Sequence, residues 1–420
     1  MIKLLHFADA HIDMAGRGRQ DPVTGLPLRV QDFLKALDLI IDTAIAEGVD
    51  LVIFSGDAYK DRTPAPTYQR EWGRRIMRLS NAHIPAILLV GNHDVPPAAG
   101  RAHAMQEFET LQPPHTIVCG KPMLLSPAEL AGLPLQIIAL PWVYRSGLMA
   151  ALEMSAANPD QINTELEVRI RDLVNKFLES LDPNLPTILV AHASIQGAKY
   201  GTERTVMLGS DLVLPQSLVC DPRFDYVALG HIHKAQNLNE GAHPPVIYPG
   251  SIERVDFGEV GDEKYFVIAD VERGRTRLDW RRLPGRKMID RMVVLNSAKD
   301  FETRLPSELP SPGDIHEAIV RLTVEYPQEL EMLLDEPALR RQMEGAFEFH
   351  LRRQPRREVR LRLAKDSTAS SHTPLELLEK YWQVINLPLE ESNEMQQIAA
   401  NVIQLAASGD GEDFPSEEGE

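Results

Sequence analysis

"LVIFSGDAYKDRTP" (residues 51–64) and "ILLVGNHD" (residues 87–94) decide how this chain folds. In each, a short apolar run ends in glycine, and groups able to hold a metal follow at once. Runs of this length, apolar throughout and bounded by turn residues, suit strands buried on both faces. Working outward, the same signal recurs. Strands are expected at 3–8, 50–55, 85–90, 134–140, 186–191, 224–229, 246–248 and 264–271. Between them lie apolar residues at helical spacing, predicting helices at 28–47, 67–80 and 161–181. Such alternation predicts an α/β fold, its sheets buried between helices.

Five of these strands end in an Asp, Asn or His. "ADAH" supplies Asp9 and His11, "SGDA" Asp57, "GNHD" Asn92, His93 and Asp94, "VAHAS" His192, and "LGHIH" His231 and His233. In open α/β sheets, ligands gather at the carboxyl ends of strands, so these groups should converge on one cleft. Nitrogen and oxygen donors without thiolate suit Mn²⁺, Fe²⁺ or Zn²⁺. They are too many for one ion but fit two sharing a carboxylate, the arrangement that clamps a phosphate ester. Glycines 56, 91 and 230 would let backbone and phosphate approach closely. A single GD turn or HxH pair would be unremarkable, and His6, beside Phe7, reads as a core histidine. Histidines 83, 103, 115, 243, 316, 350 and 372 lack the strand-end setting and read as structural.

The order D-x-H, G-D, G-N-H-D, H, G-H-x-H resembles the calcineurin-like metallophosphoesterases over residues 1–275. More narrowly, "LLHFADAHID", "FSGDAYKDRTP", "GNHD" and "YPGSIERVDFGE" resemble the SbcD nuclease family. The resemblance implies a sandwich of β-sheets flanked by helices, a small α+β capping domain and a C-terminal helical hairpin. It implies two divalent ions, Mn²⁺ being expected, that activate water for attack on a DNA phosphodiester. Asp9, His11 and His233 would hold the first ion and Asn92, His192 and His231 the second, with Asp57 between them. His93 would stabilise the phosphate or protonate the leaving oxygen, and Asp94 would orient His93. Some relatives carry His or Asp three residues after the bridging Asp. This chain has Lys60 and then Asp61, which leaves open the balance of exonuclease and endonuclease cleavage.

The expected domains are 1–278 (nuclease), 279–368 (capping), 369–408 (partner docking) and 409–420 (an acidic disordered tail). Short strands are expected at 292–295, 319–324 and 359–363, around a helix at 337–350. Thr373, Pro374 and Glu376 form a helix-start signature, with the capping box spanning Thr373 and Glu376. Apolar residues of 373–406, among them Leu375, Leu378, Tyr381, Trp382 and Ile385, would lie on an SbcC-type ATPase. The chain has no GxxxxGK[ST] of its own, so if ATP controls the activity a partner must bring it. The family also implies a homodimer.

A formal net charge of −17 argues against coating nucleic acid by bulk charge. Local contacts remain: Arg17 and Arg19, in the loop after His11, are the better candidates for phosphate. Lys60 reads equally as a phosphate contact or a solvated side chain, and the arginines of "RRQPRREVRLRLAK" (352–365) read rather as a solvated strand face than as a phosphate contact. Two cysteines, Cys119 and Cys220, make no zinc spacing and suit a reducing cytoplasm. No signal-peptide pattern and no long apolar run predict a membrane association. A phosphodiesterase or phosphatase for small nucleotides, or an inactive scaffold, are the competing readings. The residues after 275 favour a nuclease over the former, and the complete ligand set disfavours the latter.

Overall fold

The computed structural model describes residues 1–14, 19–95, 101–143, 159–201, 213–356 and 389–408, with Thr373, Leu375, Glu376, Leu378, Glu379 and Trp382. The chain divides into two compact units, residues 1–292, 308–323 and 336–352, and residues 293–307, 324–335 and 353–420.

The first unit is built on two six-stranded sheets. One contains β1 (Ile2–Phe7), β2 (Leu51–Phe54), β3 (Ala86–Leu89) and β4 (Thr116–Cys119), with β13 (Lys264–Glu272) and β14 (Arg275–Leu283), in the order β14-β13-β1-β2-β3-β4. The other has the order β11-β12-β10-β7-β6-β5. Its strands are β5 (Met123–Leu125), β6 (Gln136–Leu140), β7 (Thr187–His192), β10 (Tyr226–Gly230), β11 (Gln236–Asn237) and β12 (Val246–Tyr248). Strands β1 to β4 run parallel, as do β6, β7, β10 and β12. Two short strands, β8 (Ser194–Ile195) and β9 (Val213–Leu214), pair with each other.

Period-two alternation explains why the strands are apolar throughout. Leu4, Leu51, Ile53 and Ile87 face Ile137, Ile188, Val190 and Ala228 in a core shared by both sheets. Leu5, Phe7, Val52 and Phe54 point the other way, into a second core with α1 (Leu28–Ala46) and α2 (Pro66–Asn81). On the far side, Leu189, Val227 and Leu229 pack against Leu166, Ile170 and Val174 of the helix Pro159–Glu179. The chain is thus a sheet sandwich flanked by helices, as expected. His6 is a core histidine, its ring nitrogens 2.9 Å from Tyr226 Oη and 2.7 Å from Ser55 Oγ.

Beyond β14 come β15 (Met288–Val294), β16 (Ile319–Pro327) and β17 (Glu348–Arg356), a sheet in the order β15-β16-β17. Here one expectation fails. The helix foreseen at 337–350 is only Glu336–Gln342, and its last three residues, 348–350, open β17. Leu339, Met343 and Phe347 mimic helical spacing. Past Gly345, however, Phe347 N–H donates to the Ala318 carbonyl at 2.9 Å, and a bridge joins His316 to Ala346, so pairing overrides the local pattern. The strand foreseen at 359–363 lies outside the described residues.

In the second unit, Phe301 meets Tyr326 edge-on, with centroids 6.1 Å apart. The expected capping box is present: Thr373 N–H donates to Glu376 Oε2 at 2.7 Å, and Glu376 N–H to Thr373 Oγ1 at 3.4 Å. Gln396, on the helix Leu389–Ser408, donates to Glu379 and ties the two helical segments together. Trp382 is buried, whereas Leu378, Met395, Ile398 and Val402 are exposed. Among the described residues no helix is long and apolar enough to cross a membrane.

Candidate metal centre

The cluster forms where β1, β2, β3, β7 and β10 end. Backbone bonds lock these ends together: Asp9 N–H donates to Gly56 O at 3.0 Å, and Ala10 N–H to Asp57 O at 2.8 Å. Asp9, His11, Asp57 and His231 all have positive φ (49°, 38°, 64° and 99°). Such backbone costs about 1–3 kcal/mol per residue and persists only where the surroundings impose it, typically at functional sites. Gly91 shows how tight the packing is, since a Cβ there would stand 2.2 Å from Asp57 Oδ1. At Gly230 a Cβ would stand 2.2 Å from Ser55 O. The glycines admit neighbouring strand ends and ligand side chains.

Asp9, His11, Asp57, His192, His231 and His233 are all buried, and Asn92 is partly so. Ligand atoms of Asp9, His11 and His233 lie within 4.8 Å of one another, and so do those of Asp9, Asp57 and His192. Asp57 Oδ2 is 3.8 Å from His11 Nε2 and 3.4 Å from His192 Nε2, between the two expected ligand sets. Asn92 Oδ1 is 2.9 Å from His192 Nε2 and 2.8 Å from His231 Nδ1.

The acceptors behind the rings assign their tautomers. His11 Nδ1–H donates to the Tyr59 carbonyl (3.2 Å), His192 Nδ1–H to Ser55 O (2.7 Å) and His233 Nδ1–H to Glu259 Oε1 (2.8 Å). In the neutral rings each Nε2 then carries a lone pair. Without metal, burial opposes a charge on His192, but Asp57 outweighs it and raises that imidazole to about 9, so a proton stands there in the place of a cation. His11 Nε2 and His233 Nε2 are 3.1 Å apart, and His192 Nε2 faces the Asn92 oxygen. Lone pairs this close repel unless a cation or proton lies between them. The donor set, N and O without thiolate, therefore fits divalent metal.

Electrostatics agrees. Burial, reinforced by Asp57, pushes the Asp9 carboxyl up, with His192 and His233 opposing. Burial also works against the Asp57 charge, but His192, His93 and His11 outweigh it and hold that carboxyl well below the usual range. For Glu259 burial is likewise outweighed, by His233 and Lys264, and its carboxyl falls to about 2.

His93 is partly exposed, its ring 5.2 Å from that of His11. Its Nδ1 lies 2.8 Å from the Lys60 carbonyl, so Lys60 bears on His93 through its main chain. This corrects the expected role of Asp94. Among the described residues, the Asp94 carboxylate accepts from Asp57 N–H (2.8 Å), Ala58 N–H (2.9 Å) and Gly91 N–H (2.9 Å), not from the His93 ring. Three backbone donors hold it, and it fixes the loop carrying Asp57. Arg19 is exposed, and Arg17 lies outside the described residues. Sequence reasoning missed Asp13, whose carboxylate accepts from Lys60 N–H and Asp61 N–H (2.5 and 3.0 Å). It also missed Trp142, 4.8 Å from the His231 ring. The signal for Asp13 and Glu259 is their place inside the motifs "ADAHID" and "YPGSIERVDFGE".

The chain is similar to the SbcD component of the nuclease SbcCD of Staphylococcus epidermidis, 27% identical over 64% of this chain and 66% of the relative. The corresponding Escherichia coli K12 protein is 25% identical over 65% and 66%. The DNA double-strand break repair protein Mre11 of Saccharolobus solfataricus is 26% identical over 63% and 58%. The match thus spans between 58% and 66% of the length of these curated relatives, less than two thirds. The model of the calcineurin-like phosphoesterases matches residues 2–235, more than half of the chain, and this chain belongs to that family.

Proposed function

We propose that the chain is a metal-dependent DNA nuclease that hydrolyses phosphodiesters in double-strand-break or hairpin processing. The observation that carries this is the gathering of seven N and O donor residues, Asp57 among them, at one set of strand ends, with the partly exposed His93 beside them. Asp9, His11 and His233 would hold one ion, and Asn92, His192 and His231 the other, with Asp57 shared. When bound, two divalent ions, Mn²⁺ being the choice here, supply Lewis acidity and lower the pKa of the attacking water. Asp94 keeps the Asp57 loop in place through its three backbone bonds. His93, with Nδ1–H held by the Lys60 carbonyl, would in its doubly protonated form donate Nε2–H to a phosphate oxygen or pass that proton to the leaving oxygen.

The relatives' names support DNA as substrate and SbcC as the pattern for a partner. The partner would be an ATPase docking on 373–406, where Leu378, Met395, Ile398 and Val402 are exposed. Arg17, Arg19 and Lys60 would contact phosphate. The capping role of 279–368, a homodimer and a cytoplasmic setting complete the proposal. The test is cleavage of linear duplex DNA and of bis-p-nitrophenyl phosphate with Mn²⁺ by wild type and His93→Ala. Wild type should cleave both, and the variant should lose DNA cleavage while keeping its metal. Hydrolysis of the small ester alone, even with a partner ATPase added, would favour a small-nucleotide phosphodiesterase.

A further inference from the structure

The loop "YPGSIERVDFGE" helps carry the family resemblance, yet none of its residues is among the expected ligands. The structure folds it over His233. Asp256 caps a short turn, Phe257–Glu259, by accepting from Gly258 N–H at 2.7 Å. That turn delivers Glu259, only 1% exposed, to His233 Nδ1 at 2.8 Å. The second oxygen of Glu259 accepts from Val255 N–H at 2.9 Å and lies 2.7 Å from Lys264 Nζ. Lys264 is also 1% exposed. Its ammonium further donates to Ser251 Oγ (2.8 Å) and to the His233 carbonyl (3.2 Å). Glu259 thus holds the ring of His233 and Lys264 its main chain.

We propose that Glu259 and Lys264 are a positioning pair that sets the metal affinity of the Asp9/His11/His233 half of the centre. This rests on the two-ion reading above. The rings of His11 and His192 are backed by neutral carbonyls. His233 is backed by a carboxylate, which fixes the Nδ1–H tautomer, aims Nε2 and raises its basicity. Lys264 balances the buried carboxylate, so the charge stays where it is needed without an uncompensated cost. The Asp9/His11/His233 half thus carries a charged partner behind one of its rings.

The experiment is Mn²⁺ binding, by calorimetry and by electron paramagnetic resonance of the bound ion, without substrate. The proteins are wild type, Glu259→Gln, and the double variant Glu259→Gln/Lys264→Met. Wild type should take up two ions. In Glu259→Gln, one ion should bind about 10–100-fold more weakly, the loss typical when a ligand histidine's partner is removed. The other should be unchanged. That variant also strands a buried ammonium and should melt earlier. The double variant removes the stranded charge, so its melting temperature should recover while the weaker ion stays weak. Wild-type affinity for both ions in a folded double variant would overturn the proposal and leave the two-ion reading standing. Fewer than two ions in wild type would overturn that reading and, with it, the proposal.

Discussion

Replacing Gly91 by alanine should damage both the centre and the fold. The added Cβ would stand 2.2 Å from Asp57 Oδ1, 2.5 Å from Asp57 N and 2.8 Å from His192 Cε1. To reach ordinary van der Waals separation, the carboxylate must withdraw by roughly 1 Å. It cannot do so alone, because Oδ1 accepts His93 N–H and the Asp57 amide is held by Asp94. A displacement of that size at a reacting centre costs about 10²-fold in rate, ~2.7 kcal/mol of transition-state stabilisation. The overpacking itself should cost about 1–3 kcal/mol of stability. The assay is Mn²⁺-dependent hydrolysis of bis-p-nitrophenyl phosphate, with urea unfolding on the same samples. Gly261→Ala is the control, since a Cβ there meets nothing within 4 Å. It should leave the rate unchanged and stability within about 0.5 kcal/mol. Wild-type turnover in a fully folded Gly91→Ala protein would refute this reasoning.

Other outcomes follow from the same geometry. Burial lowers the His6 imidazole from 6.5 to about 3. Below the ordinary value the unfolded chain takes up this proton and the folded chain does not, so stability falls with pH, by up to about 1.4 kcal/mol per unit, until about pH 3. Urea unfolding of metal-free wild type and His6→Asn should show a slope shallower by one proton in the variant; parallel slopes would count against it. Arg286, bonded to Asp32 through two nitrogens at 2.6 and 2.8 Å, also lies 3.1 Å from Glu317 and stacks 3.6 Å over Phe347. Arg286→Met should cost about 3 kcal/mol in urea unfolding, because Asp32 is left buried with less compensation. Chelation with EDTA should abolish hydrolysis and lower the melting temperature. Each ion held at a hundred times its Kd contributes about 2.7 kcal/mol, and a melting temperature indifferent to Mn²⁺ would speak against the centre.

The strands that carry the ligands were legible because burial on both faces makes each an apolar run stopped abruptly by Gly, Asp or His. Strand β14 was missed for the converse reason: in "RTRLDWRRL" much of the strand is exposed, and its charges hide the period. The start of β17 falls inside the foreseen helix because Leu339, Met343 and Phe347, just before it, repeat every four residues, and only the pairing at 316 and 346 shows otherwise. At the centre, the donors are side chains at strand ends and can be read in order. What holds them is largely main chain, namely the carbonyls of Tyr59, Ser55 and Lys60, which no residue type announces. Asp94 illustrates the difference. Its place beside His93 in sequence suggested a partner for that ring, whereas the turn directs its carboxylate to the backbone of residues 57, 58 and 91.

Anomalous diffraction from a crystal soaked in Mn²⁺ tests the central claim most directly. The account requires two peaks about 3.5–4 Å apart, the spacing of two-metal sites that clamp a phosphate ester. One peak should lie among Asp9, His11 and His233, the other among Asn92, His192 and His231, with Asp57 touching both. A single peak, or two that Asp57 does not bridge, would contradict it.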